Sequence, residues 1–269
     1  MDAVLALFHF PFMQRAIIAG AFLGILFACL GVLATLRKMT FFGEGVAHAS
    51  LAGIAIAILA GVAPLPFAMA WAVIIAIVIF FLERSTKLAS DTVIGILFTA
   101  SMALGVILMN FSHGFQPELL SFLFGSILAI QTIDLIVIGV TSTIILAWFF
   151  TYLRQLTFLS LNQEGAYVAG VPVIIQTLMF YIALAISTVL GVKILGIILV
   201  SALLVLPAAT SRMLAGTFRS YLIIAIVVAE LIIFSGLAVS FYLDLPSGAT
   251  IVLVGTGLFT LAAVYKHLK

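Results

Sequence analysis

Long apolar segments alternate with short polar breaks along almost the whole of this 269-residue chain. A helix that crosses the hydrocarbon core of a bilayer needs about 20 mostly apolar residues, so the pattern predicts an all-α polytopic protein with eight or nine transmembrane helices. The candidate spans are Gln14–Leu36, Val46–Ala60, Phe67–Leu82, Thr92–Asn110, Ile133–Tyr152, Val173–Leu190, Ile194–Arg212, Tyr221–Tyr242 and Ala249–Tyr265.

One further apolar segment, Leu119–Ile130, is too short to cross a bilayer comfortably. It contains Gly125 and follows Pro117. Irregular backbone at membrane depth is tolerated only where protein shields it. We therefore expect a re-entrant helix in addition to the spans.

Composition supports the same class. The chain is 65% hydrophobic and only 7% charged, whereas a soluble domain carries about 25% charged residues. We expect a single transmembrane domain over residues 1–269, embedded in lipid, with no room for a soluble domain. The formal net charge of +2 is too small to indicate nucleic-acid binding, and the single cysteine, Cys29, excludes an intrachain disulfide.

The basic residues predict the orientation, because Lys and Arg concentrate in cytoplasmic loops. Most of them follow odd-numbered spans, which places the N-terminus outside and the C-terminus in the cytoplasm. Arg15 and Lys193 lie on the outer side. The outward loops are then Gly61–Pro66, Phe111–Glu118, Gly191–Lys193 and Leu243–Gly248.

The longest inward loop is Arg154–Pro172. It contains Gln163–Gly170, a mixed polar and small segment able to form a short helix that ends at Gly170, with Pro172 just beyond. A short helix along the membrane could receive motion from a soluble motor. An ordinary connecting loop fits the same residues.

The sequence contains no Gly-x-x-x-x-Gly-Lys-Ser/Thr phosphate-binding loop, no Gly-x-Ser-x-Gly elbow and no His-Glu-x-x-His zinc motif. We therefore do not expect an enzyme acting alone. If ATP is used, another chain must supply the site.

Glu44 and His48 form the most suggestive polar pair. They are four residues apart and share one face of a helix. A carboxylate oxygen and an imidazole nitrogen both suit zinc or manganese, and ionisable groups inside spans usually face a pathway or a partner. The alternative is a capped helix start in which His48 bonds to a neighbour. Two ligands fall short of a full metal site, which suits a transient site or one completed elsewhere.

Three more residues are candidates for a metal pathway. His113 and Glu118, in an outward loop, could receive a metal from an external carrier, or could simply be solvated. Glu230 lies near the middle of its span. It is either functional or a protonated carboxyl bonded to a backbone carbonyl.

Several stretches together resemble the permease subunits of zinc, manganese and iron ABC importers, the ABC-3 family, and look most similar to the zinc-type members. The matching stretches are Arg37-Lys38-Met39 leading into Gly43-Glu44 and His48-Ala49-Ser50; Asp91 to Ile96; Leu123-Phe124-Gly125; Glu164 to Gly170; Val192 to Thr210; and Asp244 to Gly248.

The resemblance implies a fold like that of the type II importers in a bacterial or archaeal cell membrane. It implies a homodimer, two ATP-binding cassette subunits and an extracytoplasmic metal-binding protein. It also implies that no cofactor is bound permanently and that a divalent metal, zinc first, is transported. By the same resemblance, we expect Glu44 and His48 to occupy the places of the family's acidic residue and histidine. The residues expected to couple to the ATPase are Gln163, Glu164, Gly165, Ala166 and Gly170.

The chain departs from the family pattern at three positions. Glu44 replaces the usual Asp, Ser126 replaces an acidic residue, and Ala52 stands where Pro is frequent. Other functions also stay open. They are a secondary transporter with Glu44 and Glu230 as its relay, an ABC permease for an organic metal chelate, and a nontransporting membrane module.

Overall fold

The structure of this protein, a computed structural model, describes residues 10–86, 88–111 and 130–268. Within these ranges the regular structure is entirely helical. The helices are α1 (Pro11–Leu36), α2 (Phe42–Ala60), α3 (Pro64–Thr86), α4 (Ser90–Asn110), α5 (Thr132–Leu161), α6 (Gln163–Val168), α7 (Val173–Leu214), α8 (Phe218–Leu243) and α9 (Ser247–Leu268).

Every predicted span lies inside one of these helices. The described residues contain nine helical segments long and apolar enough to cross a membrane, so the upper of the two expected counts is confirmed. The predicted re-entrant segment Leu119–Ile130 lies outside the described residues except for Ile130.

Helix α7 supplies two of the nine spans. Its 42 residues would reach about 63 Å if straight, twice the thickness of a bilayer core. It consists of two arms on either side of Gly196, α7a (residues 173–195) and α7b (residues 197–214). A Cβ added to Gly191 would lie 2.7 Å from Val200 Cγ2, although nine helical residues span about 13 Å. The arms therefore fold back on each other as a hairpin.

The turn of this hairpin is Gly196, with φ 78° and ψ 163°. Glycine reaches this region without the steric cost that a Cβ imposes. The predicted outward loop Gly191–Lys193 is therefore wrong, because these residues are helical and the reversal is confined to Gly196.

Helix α5 is longer than predicted. It runs for 30 residues from Thr132 to Leu161, about 45 Å, and so extends beyond a bilayer core. Arg154 is consequently helical, and the predicted inward loop Arg154–Pro172 begins only at Asn162.

Helices α1 and α7 form the centre of the bundle. Helix α1 packs against α5, α7 and α8, and α7 also contacts α2, α3 and α9. Helices in lipid associate through close packing of small residues. A Cβ on Gly31 would lie 2.1 Å from the carbonyl oxygen of Leu204, so α1 and α7b touch backbone to backbone. Phe27 and Cys29 are fully buried beside this contact.

Two ends of the bundle can be distinguished by their basic residues. At one end, Lys193 Nζ lies 2.5 Å from Asp134 Oδ1, and Arg15 donates a hydrogen bond of 3.0 Å to the carbonyl of Ile130. These contacts tie α1 and α7a to the start of α5. The other end of α1 carries Arg37. We refer to them as the Lys193 end and the Arg37 end.

Candidate functional site

Helix α2 begins at the Arg37 end and carries the Glu44–His48 pair in its first two turns. Glu44 lies in the first turn and is exposed, where the partial positive charge of a helix N-terminus favours a carboxylate. His48 follows one turn later on the same face and is partly buried. The structure therefore confirms the predicted helical spacing of the two side chains.

The imidazole of His48 is held by packing. Its ring centroid lies 5.1 Å from that of Phe98 on α4. Its Nδ1 atom is buried and has no hydrogen-bond partner among the described residues. The alternative interpretation, in which His48 hydrogen-bonds to a neighbouring residue, therefore has no such bond at Nδ1 in the described part of the chain. A buried nitrogen without a partner is costly unless a ligand or another chain satisfies it.

Close contact between α2 and α4 creates this environment. A Cβ on Gly45 would lie 2.3 Å from Ile94 Cγ2, so only glycine lets α4 approach here. One turn further, Ser101 donates a hydrogen bond of 2.7 Å to the carbonyl of Ala49. Ser101 also accepts one of 3.0 Å from the Trp71 indole of α3. Glu44 and His48 therefore lie on α2 where it packs closely with α3 and α4.

Glu230 occupies a different part of the molecule. It faces α1, where a Cβ added to Gly24 would lie 2.6 Å from Glu230 Oε1. That oxygen is buried without a hydrogen-bond partner among the described residues. No three His, Cys, Asp or Glu side chains of the described residues gather into a potential metal site. Glu44 and His48 are therefore a pair, and His113 and Glu118 lie outside the described residues.

The segment from residue 163 to 170 does contain the predicted short helix. Helix α6 begins after Asn162, whose Oδ1 accepts a hydrogen bond of 2.8 Å from the Gly165 amide. It ends at Val168, two residues earlier than predicted, and Gly170 follows with φ 80°. Ala166 is fully buried and packs with Leu159 and Val173, which anchors α6 to α5 and α7a.

The opposite side of α6 presents an apolar surface. Tyr167 is 75% exposed and Val168 is 86% exposed, beside the exposed Gln163 and Glu164. Tyr167 and Val168 were not among the residues predicted to couple to the ATPase. A helix of six residues is too short to show a hydrophobic period, so its exposed apolar side can be recognised only once Ala166 is known to face inward.

Comparison with known proteins identifies the family. The model of the ABC 3 transport family matches residues 9–266. The chain is 32% identical to the high-affinity zinc uptake system membrane protein ZnuB of Haemophilus influenzae, over 94% of this chain and 97% of that protein. It is also 32% identical to the manganese transport system membrane protein MntC of Halalkalibacterium halodurans, over 97% and 89% of the two chains.

A solved structure supports the same conclusion for the fold. PsaBC from Streptococcus pneumoniae, in complex with a Fab, matches with a TM-score of 0.85 and 28% identity over 97% of this chain and 94% of that chain. The expected all-α, multi-pass permease architecture is confirmed. This chain is a multi-pass plasma-membrane protein that belongs to the ABC 3 transport family.

Proposed function

We propose that this chain is the permease subunit of an ATP-driven importer of divalent transition-metal ions, with zinc the first candidate and manganese the second. Membership in the ABC 3 transport family supports a role as a transport permease, with ATP hydrolysis on a separate subunit. The observation that carries the proposal is the Glu44–His48 pair, with a buried imidazole nitrogen that has no partner among the described residues.

The chemistry of the pair suits passage rather than storage. An imidazole nitrogen and a carboxylate oxygen bind zinc or manganese, but a stable zinc site needs four ligands. Two ligands, supplemented by water or by a second copy of the chain, hold a metal weakly enough to release it. We propose that the metal passes Glu44 and His48 at the Arg37 end, which faces the cytoplasm.

The partners follow from the same proposal. We propose a single transmembrane permease domain that forms a homodimer in the lipid bilayer, with two ATP-binding subunits and an extracytoplasmic metal-binding protein. Helix α6 supports the assignment of the motor side, because Tyr167 and Val168 expose apolar surface there. We propose that α6, including Gln163, Glu164, Gly165 and the anchoring Ala166, together with the following Gly170, couples ATP hydrolysis to the permease.

The alternative functions receive less support. A relay through Glu44 and Glu230 needs the two carboxyls to communicate, yet Glu230 packs on α1 and no hydrogen bond joins it to another described residue. The relatives named above act on zinc or manganese. They match this chain equally well, so the choice between the metals rests on experiment.

The test is uptake of radiolabelled zinc and manganese by cells that lack their own importers. The cells express this chain with its ATPase and binding protein, as wild type, as His48→Ala, and as His267→Ala. His267 lies in the last turn of α9 and is exposed, so it is the matched control. We expect uptake that needs the ATPase and His48 but not His267, and the favoured isotope identifies the metal. Full uptake by His48→Ala, or uptake without the ATPase, would contradict the proposal.

A further inference from the structure

A partly buried arginine joins the end of α5 to the start of α2. Arg37, at the C-terminus of α1, donates a hydrogen bond of 2.9 Å from Nε to the hydroxyl of Ser160 on α5. Its guanidinium carbon lies 4.4 Å from the centre of the Phe180 ring on α7a. Residues 37 and 160 are 123 positions apart, so this contact is purely tertiary.

The environment of Arg37 is unusual for a residue that serves stability alone. Burial lowers the pKa of Arg37 to about 10, so the guanidinium stays charged at neutral pH. No carboxylate of the described residues pairs with it, and its buried Nη2 has no hydrogen-bond partner there. Even a partly buried charge without a counter-ion is costly. One hydroxyl and one aromatic face hold it, and both contacts are directional.

On one side, Arg37 is close to α6. Ser160 neighbours Leu159, and Leu159 packs on the buried Ala166 of α6. Ser160 also donates a hydrogen bond of 2.7 Å to the Leu156 carbonyl, which fixes its hydroxyl to the last turns of α5. A displacement of α6 therefore reaches the acceptor of the Arg37 hydrogen bond through one packed layer.

On the other side, Arg37 is close to the Glu44–His48 pair. A tight turn follows it, in which the Met39 amide donates 2.9 Å to the Ala34 carbonyl, and α2 starts at Phe42. The Phe42 ring lies 5.3 Å from that of Tyr181, the residue after Phe180. The Tyr181 hydroxyl in turn donates a hydrogen bond of 2.5 Å to Glu83 of α3. The first turn of α2 therefore packs against Tyr181, next to the Phe180 ring that contacts Arg37.

We propose that Arg37 is a positioning residue that transmits displacement of α6 to the metal-binding face of α2, through its contacts with Ser160 and Phe180. The inference rests on the proposed function and adds to it the route by which the motor acts on the metal pair. Arg37 touches neither metal nor nucleotide. Its role is to make the first turn of α2 follow the last turn of α5.

The experiment uses the whole complex in proteoliposomes, with ATP hydrolysis and zinc or manganese uptake measured in the same vesicles. Ser160→Ala removes the acceptor, Arg37→Met removes the donor and the charge, and Ser160→Thr restores a hydroxyl. Thr157→Ala is the control, because among the described residues the Thr157 hydroxyl bonds only to its own helix, at the Leu153 carbonyl.

We expect Ser160→Ala and Arg37→Met to keep hydrolysis within about twofold of wild type while metal ions moved per ATP fall about tenfold, the effect of losing one charge-assisted hydrogen bond. Ser160→Thr and Thr157→Ala should keep the wild-type ratio. The double variant should lose no more than Arg37→Met alone, because the two residues act as a pair.

Two results would overturn the inference. The first is an unchanged ratio of ions to ATP in Ser160→Ala. The second is a parallel fall in hydrolysis, uptake and melting temperature, which is the signature of a structural role. If Arg37→Met does not assemble, Ser160→Ala decides alone. A wild-type complex that moves neither metal would instead reject the proposed function, and this inference with it.

Discussion

The apolar side of α6 gives the sharpest prediction about the motor. Tyr167 and Val168 are 75% and 86% exposed, and neither contributes to the buried cluster beneath the helix. If an ATP-binding subunit covers them, truncation to alanine should weaken its binding without affecting the fold of the permease. The variants are Tyr167→Ala and Val168→Ala.

The expected size follows from the area involved. Val168→Ala replaces two methyl groups on Cβ by two hydrogens, and each buried carbon contributes about 0.8 kcal/mol, so the loss is about 1.6 kcal/mol. This corresponds to a roughly tenfold higher Kd for the ATPase. Tyr167→Ala removes a larger ring and should cost at least as much. Since both side chains are exposed in the permease, its melting temperature should not change.

The assay is titration of the permease in lipid nanodiscs with labelled ATPase subunit, with thermal melting measured in parallel. Leu253→Ala is the matched control, because Leu253 is 72% exposed on α9 and belongs to a different surface from α6. Equal Kd values for wild type, Tyr167→Ala and Val168→Ala would refute the assignment of α6 as the contact with the motor. A fall in melting temperature would show that the side chains support the fold instead.

Two further predictions concern packing and the metal pair. In Gly31→Ala, the new Cβ would lie 2.1 Å from the Leu204 carbonyl oxygen, so α1 and α7b must move apart until this distance reaches an ordinary 3.4 Å. The strain is about 1–3 kcal/mol. The melting temperature of Gly31→Ala should therefore fall. The control is Gly257→Ala, whose added Cβ would have nothing within 4 Å, and its melting temperature should match or exceed wild type because alanine favours a helix. Equal melting temperatures for the two variants would contradict the close contact at Gly31. Glu44→Asp keeps the carboxylate on a shorter arm, so uptake should persist with an altered ratio of zinc to manganese, and loss of all uptake would count against the family comparison.

The spans were predictable because a lipid bilayer requires long apolar segments, and polar residues separate most of these segments from one another along the chain. The hairpin in α7 was not predictable in the same way. Gly196 is flanked by the apolar Leu195 and Ile197, so the sequence predicted the reversal three residues earlier, at the polar Lys193. Only the backbone angles of Gly196 locate the turn.

The candidate site was also predictable only in part from the sequence. The spacing of Glu44 and His48 follows from helix geometry, and so was accessible from the sequence, while their role as ligands stays a prediction. The link between Arg37 and Ser160 depends on how α1 and α5 pack, and no local pattern encodes a contact over 123 residues. The position of Glu230 against Gly24 is likewise a product of packing.

The one-residue turn at Gly196 limits the mechanics of transport. Sliding one arm of α7 along the other by a single helical turn is a shift of about 5.4 Å, and about two extended residues of slack would be needed to allow it. The connection has no such slack, since the residues on both sides of Gly196 are helical. The two arms can therefore change their crossing angle about Gly196 but cannot slide past each other by a helical turn, so any motion of α7a relative to α7b must be a change of tilt.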